Sequence, residues 1–171
     1  MIEKSLKNII SKKSIELGFD KIGFADPKED IDPNKYLDKW IESKYHGTMQ
    51  WMESRKKERA DIFNYFPEVQ TVISLAFNYF TKRSSEFSED YNSKIKFSNY
   101  AWGEDYHEII KKKLHDIKNE ILKHDPSIKI ILCVDTAPIM EKQWAQKAGI
   151  GWQGKNTNLL TKELGSWVFL E

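Results

Sequence analysis

The sequence has few of the residues from which covalent and metal frameworks are built. Its 171 residues include a single cysteine, Cys133, which excludes an internal disulfide and any cysteine-built zinc or iron–sulfur site within this chain. No stretch approaches the ~20 uninterrupted apolar residues of a membrane-spanning helix, and the first residues, MIEKSLK, lack a signal peptide's apolar region. The net charge of +1 gives no bulk attraction for nucleic acid, which leaves only a local basic face. We expect a cytoplasmic protein without a membrane segment.

The sequence is rich in aromatic residues and in apolar segments that alternate between helical and strand-like spacing. Aromatics make up 13% of the chain, including six Trp, and such side chains suit both a core and the walls of a ligand site. Apolar residues at helical spacing predict helices over residues 5–17, 33–46, 49–57, 105–123 and 139–148. Apolar β-forming runs predict strands over residues 19–25, 71–77, 128–134, 157–160 and 166–170. This alternation predicts an α/β or α+β domain, a layered sheet with flanking helices.

The organisation along the chain indicates one domain. Residues 81–98 are polar and serine-rich without periodicity, which predicts a long loop. No linker divides residues 1–171. The last residues, Phe169, Leu170 and Glu171, lie inside an apolar, strand-like run, and we expect the chain to be a fragment of a longer polypeptide.

Asp135 is the first candidate for chemistry, because it follows the predicted buried strand 128–134 and precedes a predicted helix. A carboxyl group at the carboxyl end of such a strand lies where open α/β sheets bind ligands. Partial desolvation there favours the protonated carboxyl, which can donate its proton near neutral pH. A helix cap is the alternative interpretation, since strand–Asp–helix junctions are common.

The glycine-rich stretch GWQGKN at residues 151–156 is the second candidate. Glycines allow the backbone to approach a ligand closely, and Lys155 supplies a positive charge for an anion. The stretch lacks the spacing of a P-loop, and Gly149, Gly151 and Gly154 follow a helix rather than the strand of a dinucleotide fingerprint. A turn that only requires positive φ is the alternative.

The third candidate is YAWGEDYH at residues 100–107. Tyr106 and His107 offer proton donors and an aromatic wall at the start of the longest predicted helix, while a plain surface position for His107 is the alternative. The other histidines show no metal-ligand spacing, so we predict no metal site. Cys133, inside a predicted strand, indicates a buried and inert thiol.

These segments together resemble one family. TVISLAFNY at 71–79, YAWGEDYH at 100–107, VDTAPIME at 134–141, AQKAGIGWQGKN at 145–156 and LGSWVFL at 164–170 resemble epoxyqueuosine reductases, in matching order over nearly the whole chain. The resemblance implies a cobalamin-dependent oxidoreductase that removes the epoxide oxygen of epoxyqueuosine in tRNA, the last step of queuosine synthesis. It also implies a nitroreductase-like cobalamin-binding domain followed by a ferredoxin-like domain with 4Fe–4S clusters.

The resemblance further implies roles for individual residues. Asp135 corresponds to the family's catalytic acid, the aspartate of its V-D-[ST] segment. The implied cofactor-binding residues are Tyr106, His107, Lys142, Trp152, Gly154, Lys155 and Asn156. Lys142 departs from the family, which usually has Arg there, and Lys keeps the charge but loses the bidentate fork of a guanidinium.

The implied partners are tRNA that carries epoxyqueuosine and a ferredoxin- or flavodoxin-like electron donor. A 4Fe–4S cluster takes four thiolates, so a chain with one cysteine cannot ligate one, and we expect the chain alone to be inactive. Two other classes of protein stay open at this point. One is a cobalamin-binding or trafficking module without chemistry of its own, and the other is a flavin-dependent, nitroreductase-like enzyme.

Overall fold

A computed structural model describes residues 2–28, 34–81 and 97–171, with side chains from residue 6 in the first range and residue 36 in the second. Most of the predicted loop 81–98 lies outside these ranges. Within them, every helix is too short or too polar to span a bilayer.

The helices lie largely where their apolar spacing predicts. Their bounds are α1 Ile2–Glu16, α2 Asn34–Glu42, α3 Gln50–Ser54, α4 Lys56–Ala60, α5 Ile62–Tyr65, α6 Tyr106–His124 and α7 Glu141–Lys147. Gly18 follows α1 with φ of +89°, a conformation that glycine adopts at helix ends without steric cost. The helix predicted over 49–57 is divided into α3 and α4 at Arg55, whose φ of −117° and ψ of 29° depart from helical values.

The strands form a small antiparallel sheet and a hairpin. Their bounds are β1 Lys21–Ala25, β2 Val72–Asn78, β3 Trp152–Gln153, β4 Leu159–Leu160 and β5 Val168–Leu170. The sheet has the order β1-β2-β5, with β2 central and both neighbours antiparallel to it. Ala76 of β2 lies opposite Lys21 on one side and Leu170 on the other. Strands β3 and β4 pair with each other.

Helices cover both faces of this sheet. On one face, α1 and α6 pack a buried cluster against β2 that includes Ile10, Leu75 and Ile110. On the other face, α7 approaches so closely that a Cβ on Gly23 of β1 would lie 2.1 Å from the carbonyl oxygen of Ala148. Only glycine fits at that position. The predicted layered architecture of a sheet with flanking helices is thus confirmed.

The strand predicted over residues 128–134 is not present. Ile128, Ile130 and Leu132 pack on the core beside α6, whereas Ile131 is exposed, so the alternation of a strand is kept. In the described part of the chain, however, no N–H of residues 129–134 donates to another segment. The prediction was wrong because an apolar alternating run becomes a strand only where a hydrogen-bonding neighbour lies beside it.

Candidate active site

Asp135 lies in a tight turn between segment 128–134 and α7. Its φ is +52°, and the N–H of Thr136 donates to the carbonyl of Val134 at 2.5 Å, which closes a γ-turn around Asp135. Left-handed φ is uncommon for a non-glycine residue, and such strain concentrates at functional sites. The N-cap of α7 is Met140, without a side-chain cap. Asp135 therefore does not cap α7, and the sheet-edge crevice expected for it is also absent because the sheet is antiparallel.

Two side chains from the first turn of α6 converge on one oxygen of Asp135. The hydroxyl of Tyr106 donates to Oδ2 of Asp135, and Nε2 of His107 lies 3.2 Å from the same oxygen. The Tyr106 ring stacks on Phe169 of β5, with ring centroids 4.0 Å apart and planes 8° apart. Burial, followed by the hydrogen bond to Asp135, raises the pKa of Tyr106 well above its usual value. The phenol therefore keeps its proton and acts as a donor.

Asp105 is a site residue that the sequence analysis missed. As the N-cap of α6, it accepts a hydrogen bond from the backbone N–H of His107, and its Oδ1 lies 2.7 Å from Nδ1 of the His107 ring. The side-chain hydrogen bond with His107 holds the pKa of Asp105 below its usual value. The imidazole thus bridges two carboxyl groups, an arrangement that can pass a proton between them. The signal in the sequence was an Asp two residues before a His at a helix start.

Two buried carboxyl groups, those of Glu141 and Glu171, form an acidic layer near Asp135. Burial, together with the charge of Asp135, raises the pKa of Glu141 to about 7. Burial, followed by the charge of Glu141, raises the pKa of Glu171 to about 9. One carboxyl oxygen of Glu141 and both of Glu171 are buried without a hydrogen-bond partner among the described residues. Burial also raises the pKa of Cys133 to about 11, which agrees with the predicted inert thiol.

The other predicted site residues form a second group, away from Asp135. Nζ of Lys142 lies 3.4 Å from Oδ1 of Asn158, and Oδ1 of Asn156 accepts a hydrogen bond from the N–H of Asn158. Trp152 on β3 is 50% exposed, and Lys155 is exposed as well. The structure therefore joins Lys142 to the glycine-rich turn. Over the described ranges, no hydrogen bond, ion pair or ring contact links that turn to the side chains of Tyr106, His107 or Asp135.

The glycines of this turn are explained by packing within the chain. A Cβ on Gly151 would lie 2.1 Å from the carbonyl oxygen of Leu160, and a Cβ on Gly154 would lie 2.8 Å from Cδ1 of the same residue. Of the three glycines that give the G-x-G-x-x-G spacing, only Gly149 has a positive φ, at +78°. The close approach of the backbone in this hairpin thus requires Gly151, whereas at Gly154 the nearest atom belongs to the flexible end of the Leu160 side chain. In the part of the chain that the structure describes, no group of His, Cys, Asp and Glu has the arrangement of a metal site.

Comparisons with known proteins agree with the resemblance found in the sequence. The sequence model of the family described as "Epoxyqueuosine reductase QueG, DUF1730" matches residues 59–136. The epoxyqueuosine reductase of Atelocyanobacterium thalassa is 40% identical over 168 residues, which are 97% of this chain and 53% of that protein. This chain therefore spans about half the length of the curated relatives it matches.

Solved structures of epoxyqueuosine reductases share the fold. The structure from Streptococcus thermophilus has a TM-score of 0.73 and 28% identity, over 96% of this chain and 44% of that one. A structure from Bacillus subtilis, described with its catalytic aspartate loop swung out of the active site, has a TM-score of 0.80 and 22% identity, over 98% of this chain and 44% of that one. These similarities confirm both the family resemblance and the class of fold.

Proposed function

Because this chain is related to the N-terminal half of epoxyqueuosine reductases, we propose that residues 1–171 form the cobalamin-binding catalytic domain of such an enzyme. The complete enzyme reduces epoxyqueuosine in tRNA to queuosine. Its electrons pass from a ferredoxin- or flavodoxin-like protein through 4Fe–4S clusters on a ferredoxin-like domain outside this chain. The observation that carries the proposal is the convergence of Tyr106 and His107 on a single oxygen of Asp135.

The residues at the implied cofactor positions fit a corrinoid in their chemical type. Trp152 offers a half-exposed indole face, and Lys142, Lys155 and Asn156 are exposed polar groups that suit the amide side chains and the phosphate of a nucleotide tail. All of them lie on an open face, which suits a group too broad for an enclosed pocket. When bound, cobalamin supplies a reduced cobalt centre that delivers electrons to the epoxide.

The side chains around Asp135 account for the proton chemistry of this reaction. Removal of an epoxide oxygen as water takes two electrons and two protons, and the oxygen gains negative charge as its bonds to carbon break. Asp135 donates the first proton. Tyr106, which bonds to Oδ2, fixes the orientation of the carboxyl group and leaves Oδ1 to face the substrate. The ionised Asp135 that results accepts hydrogen bonds from Tyr106 and His107.

His107 returns a proton to Asp135. Its two ring nitrogens lie 2.7 Å from Asp105 and 3.2 Å from Asp135, and Asp105 is 65% exposed. His107 donates a proton through Nε2 to Asp135, and the ring regains a proton from water on the side of Asp105. The same route supplies the second proton of the reaction. His107 and Asp105 are therefore assigned to proton transfer, and Tyr106 to positioning.

The test is Asp135→Asn in a full-length enzyme built on this chain and loaded with cobalamin. Since general acid catalysis contributes about 10²- to 10⁴-fold to such a step, we expect turnover of epoxyqueuosine tRNA to fall by that factor. The visible spectrum of bound cobalamin should stay unchanged. Asp116→Asn, on the exposed side of α6, is the matched control and should keep full turnover. Equal turnover of the two variants would exclude Asp135 as the proton donor.

A further inference from the structure

Helix α7 connects the two groups of predicted site residues. It begins six residues after Asp135 and ends shortly before the glycine-rich turn. Its inner side is buried, and Ala145 packs with Ile150, just before β3, and with Leu159 of β4. The Asp135 turn and the β3–β4 hairpin therefore share α7 as a common support.

The hairpin has little structure of its own to hold it in place. Strands β3 and β4 have two residues each and pair at two positions. In the turn between them, the N–H of Gly154 donates to the carbonyl of Asn158 at 2.9 Å. A short two-stranded hairpin is at best marginally stable in water, so its orientation depends on contacts with the rest of the domain.

Gln146 of α7 provides a polar contact of this kind. Its Oε1 accepts a hydrogen bond from the backbone N–H of Gln153 in β3, with an N–O distance of 2.6 Å. Its backbone carbonyl accepts a second hydrogen bond, of 3.0 Å, from the N–H of Gly149, whose φ of +78° ends the helix. One residue thus binds the chain where it leaves α7 and again in β3.

Lys142 is a second point of contact, one helical turn earlier. Residues four positions apart lie on the same face of a helix, and Nζ of Lys142 lies 3.4 Å from Oδ1 of Asn158. That distance is longer than the usual range of about 2.7–3.2 Å, and the family resemblance also implies a contact of Lys142 with the cofactor. Gln146 makes the shorter bond, to the backbone of the hairpin, and is not among the residues that the resemblance implies.

We propose that Gln146 is a positioning residue for the cofactor face, which comprises Trp152, Lys155 and Asn156, and that it acts by holding the hairpin on α7. The inference rests on the proposed function, because these residues form a cofactor face only if the domain binds cobalamin. Gln153 lies between Trp152 and Lys155 in the chain, so a bond to its N–H fixes the middle of the face. A site that is held in its bound arrangement in advance loses less free energy to ordering when it binds.

The test is Gln146→Met in a full-length enzyme that contains this chain. Methionine keeps the length of the side chain and suits a helix, but its thioether sulfur is only a weak acceptor. Gln146→Glu, which keeps an acceptor oxygen, is the conservative variant. Gln50→Met, at the exposed start of α3, is the matched control.

Hydrogen exchange of residues 151–160, followed by mass spectrometry without cobalamin, measures how firmly the hairpin is held. We expect this segment to exchange about fivefold faster in Gln146→Met, since one net hydrogen bond contributes about that factor. Gln146→Glu and Gln50→Met should exchange like the parent.

The affinity for cobalamin, measured by absorbance titration, reports on the cofactor face. We expect the dissociation constant to rise about fivefold in Gln146→Met and to stay unchanged in Gln50→Met. Turnover at saturating cobalamin should equal that of the parent, because the bound cofactor then holds the hairpin in place.

Faster exchange of the hairpin with an unchanged dissociation constant would overturn the proposal, because the bond would then serve the fold alone. Equal exchange in Gln146→Met and the parent would overturn it as well, and weaker binding in that case would mean that Gln146 contacts the cofactor itself. Fast exchange in Gln146→Glu would show that an acceptor oxygen at this position does not hold the hairpin. A parent enzyme that binds no cobalamin would overturn the proposed function and, with it, the role of Gln146 at a cofactor face. The exchange comparison would still decide whether Gln146 holds the hairpin.

Discussion

The two ends of segment 128–135 differ in how completely they are built. At Asp135, a hydroxyl and an imidazole meet one carboxyl oxygen, and both come from a single helical turn that its own N-cap fixes. At residues 128–133, apolar side chains pack on the core, but the backbone forms no hydrogen bond with a described residue on the side of β2. One helical turn is therefore enough to bring Tyr106 and His107 to Asp135. The backbone of residues 128–133, in contrast, depends on pairing with a strand that is distant in sequence.

The largest difference in stability should appear between Ile110→Ala, in the paired part of the core, and Ile130→Ala, in the unpaired segment 128–134. Ile110 of α6 is fully buried in the paired part of the core, and its truncation should lower the free energy of unfolding by roughly 3–4 kcal/mol. Ile130 of the unpaired segment 128–134 is half-buried against the core, and its truncation should cost about 1 kcal/mol. Urea unfolding of the 171-residue chain measures both. Equal losses at Ile110 and Ile130 would show that segment 128–134 is packed as tightly as the paired part of the core.

A smaller effect on stability should depend on pH and should come from the buried carboxyl group of Glu141. The pKa of Glu141 is raised to about 7 from the ordinary 4.5, so the folded state binds this proton more tightly than the unfolded state does. The penalty is absent below about pH 4.5, grows as the pH rises to about 7, and is constant above that. Glu141→Gln should therefore be more stable than the parent by roughly 1–3 kcal/mol at pH 8 and equal to it at pH 4.

The control for Glu141 is Glu120→Gln on the surface of α6. The hydrogen bond from Lys123 lowers the pKa of Glu120, so its stabilising contribution is present above the unfolded pKa and is lost as the pH falls. Its replacement should then shift stability in the opposite direction, measured by thermal unfolding from pH 4 to 8. A Glu141→Gln variant that is less stable than the parent at pH 8 would contradict the buried acidic layer.

The periodicity of apolar residues predicted the helices and strands that depend on local sequence. It failed where pairing with a distant segment decides whether a strand forms. The apolar spacing of α6 and the β-forming run of β2 were sufficient to place both elements, because their side chains meet a core from the described chain. The run 128–134 has the same pattern, but without a neighbour it stays extended and unpaired. Asp135 was singled out as the end of a strand, whereas the structure places it in a γ-turn.

The site itself was predicted in part, and the reason again lies in distance along the chain. The sequence named Tyr106, His107 and Asp135, and the family resemblance was needed to group them, since 27 residues separate His107 from Asp135. The signal for Asp105, an Asp two residues before a His at a helix start, was not used, because an N-cap carboxyl ordinarily serves the backbone alone. Whether Lys142, Trp152, Lys155 and Asn156 bind a cofactor stays a prediction.

The smallest effect on stability should come from Tyr106→Phe, which measures the contribution of the hydrogen bond between Tyr106 and Asp135. The ring contacts with Phe169 and His107 remain in the variant, so only the hydrogen bond to Asp135 is lost. The Asp135 side chain is 42% exposed, and water can replace the phenol there. We expect a loss of about 1 kcal/mol in unfolding free energy. Tyr100→Phe, whose hydroxyl bonds to none of the described residues, should change stability by less than about 0.5 kcal/mol. A loss at Tyr106 as large as that of Ile110→Ala would mean that the hydrogen bond of the phenol is needed for the fold. The side chains around Asp135 would then depend on long-range packing as much as segment 128–134 does.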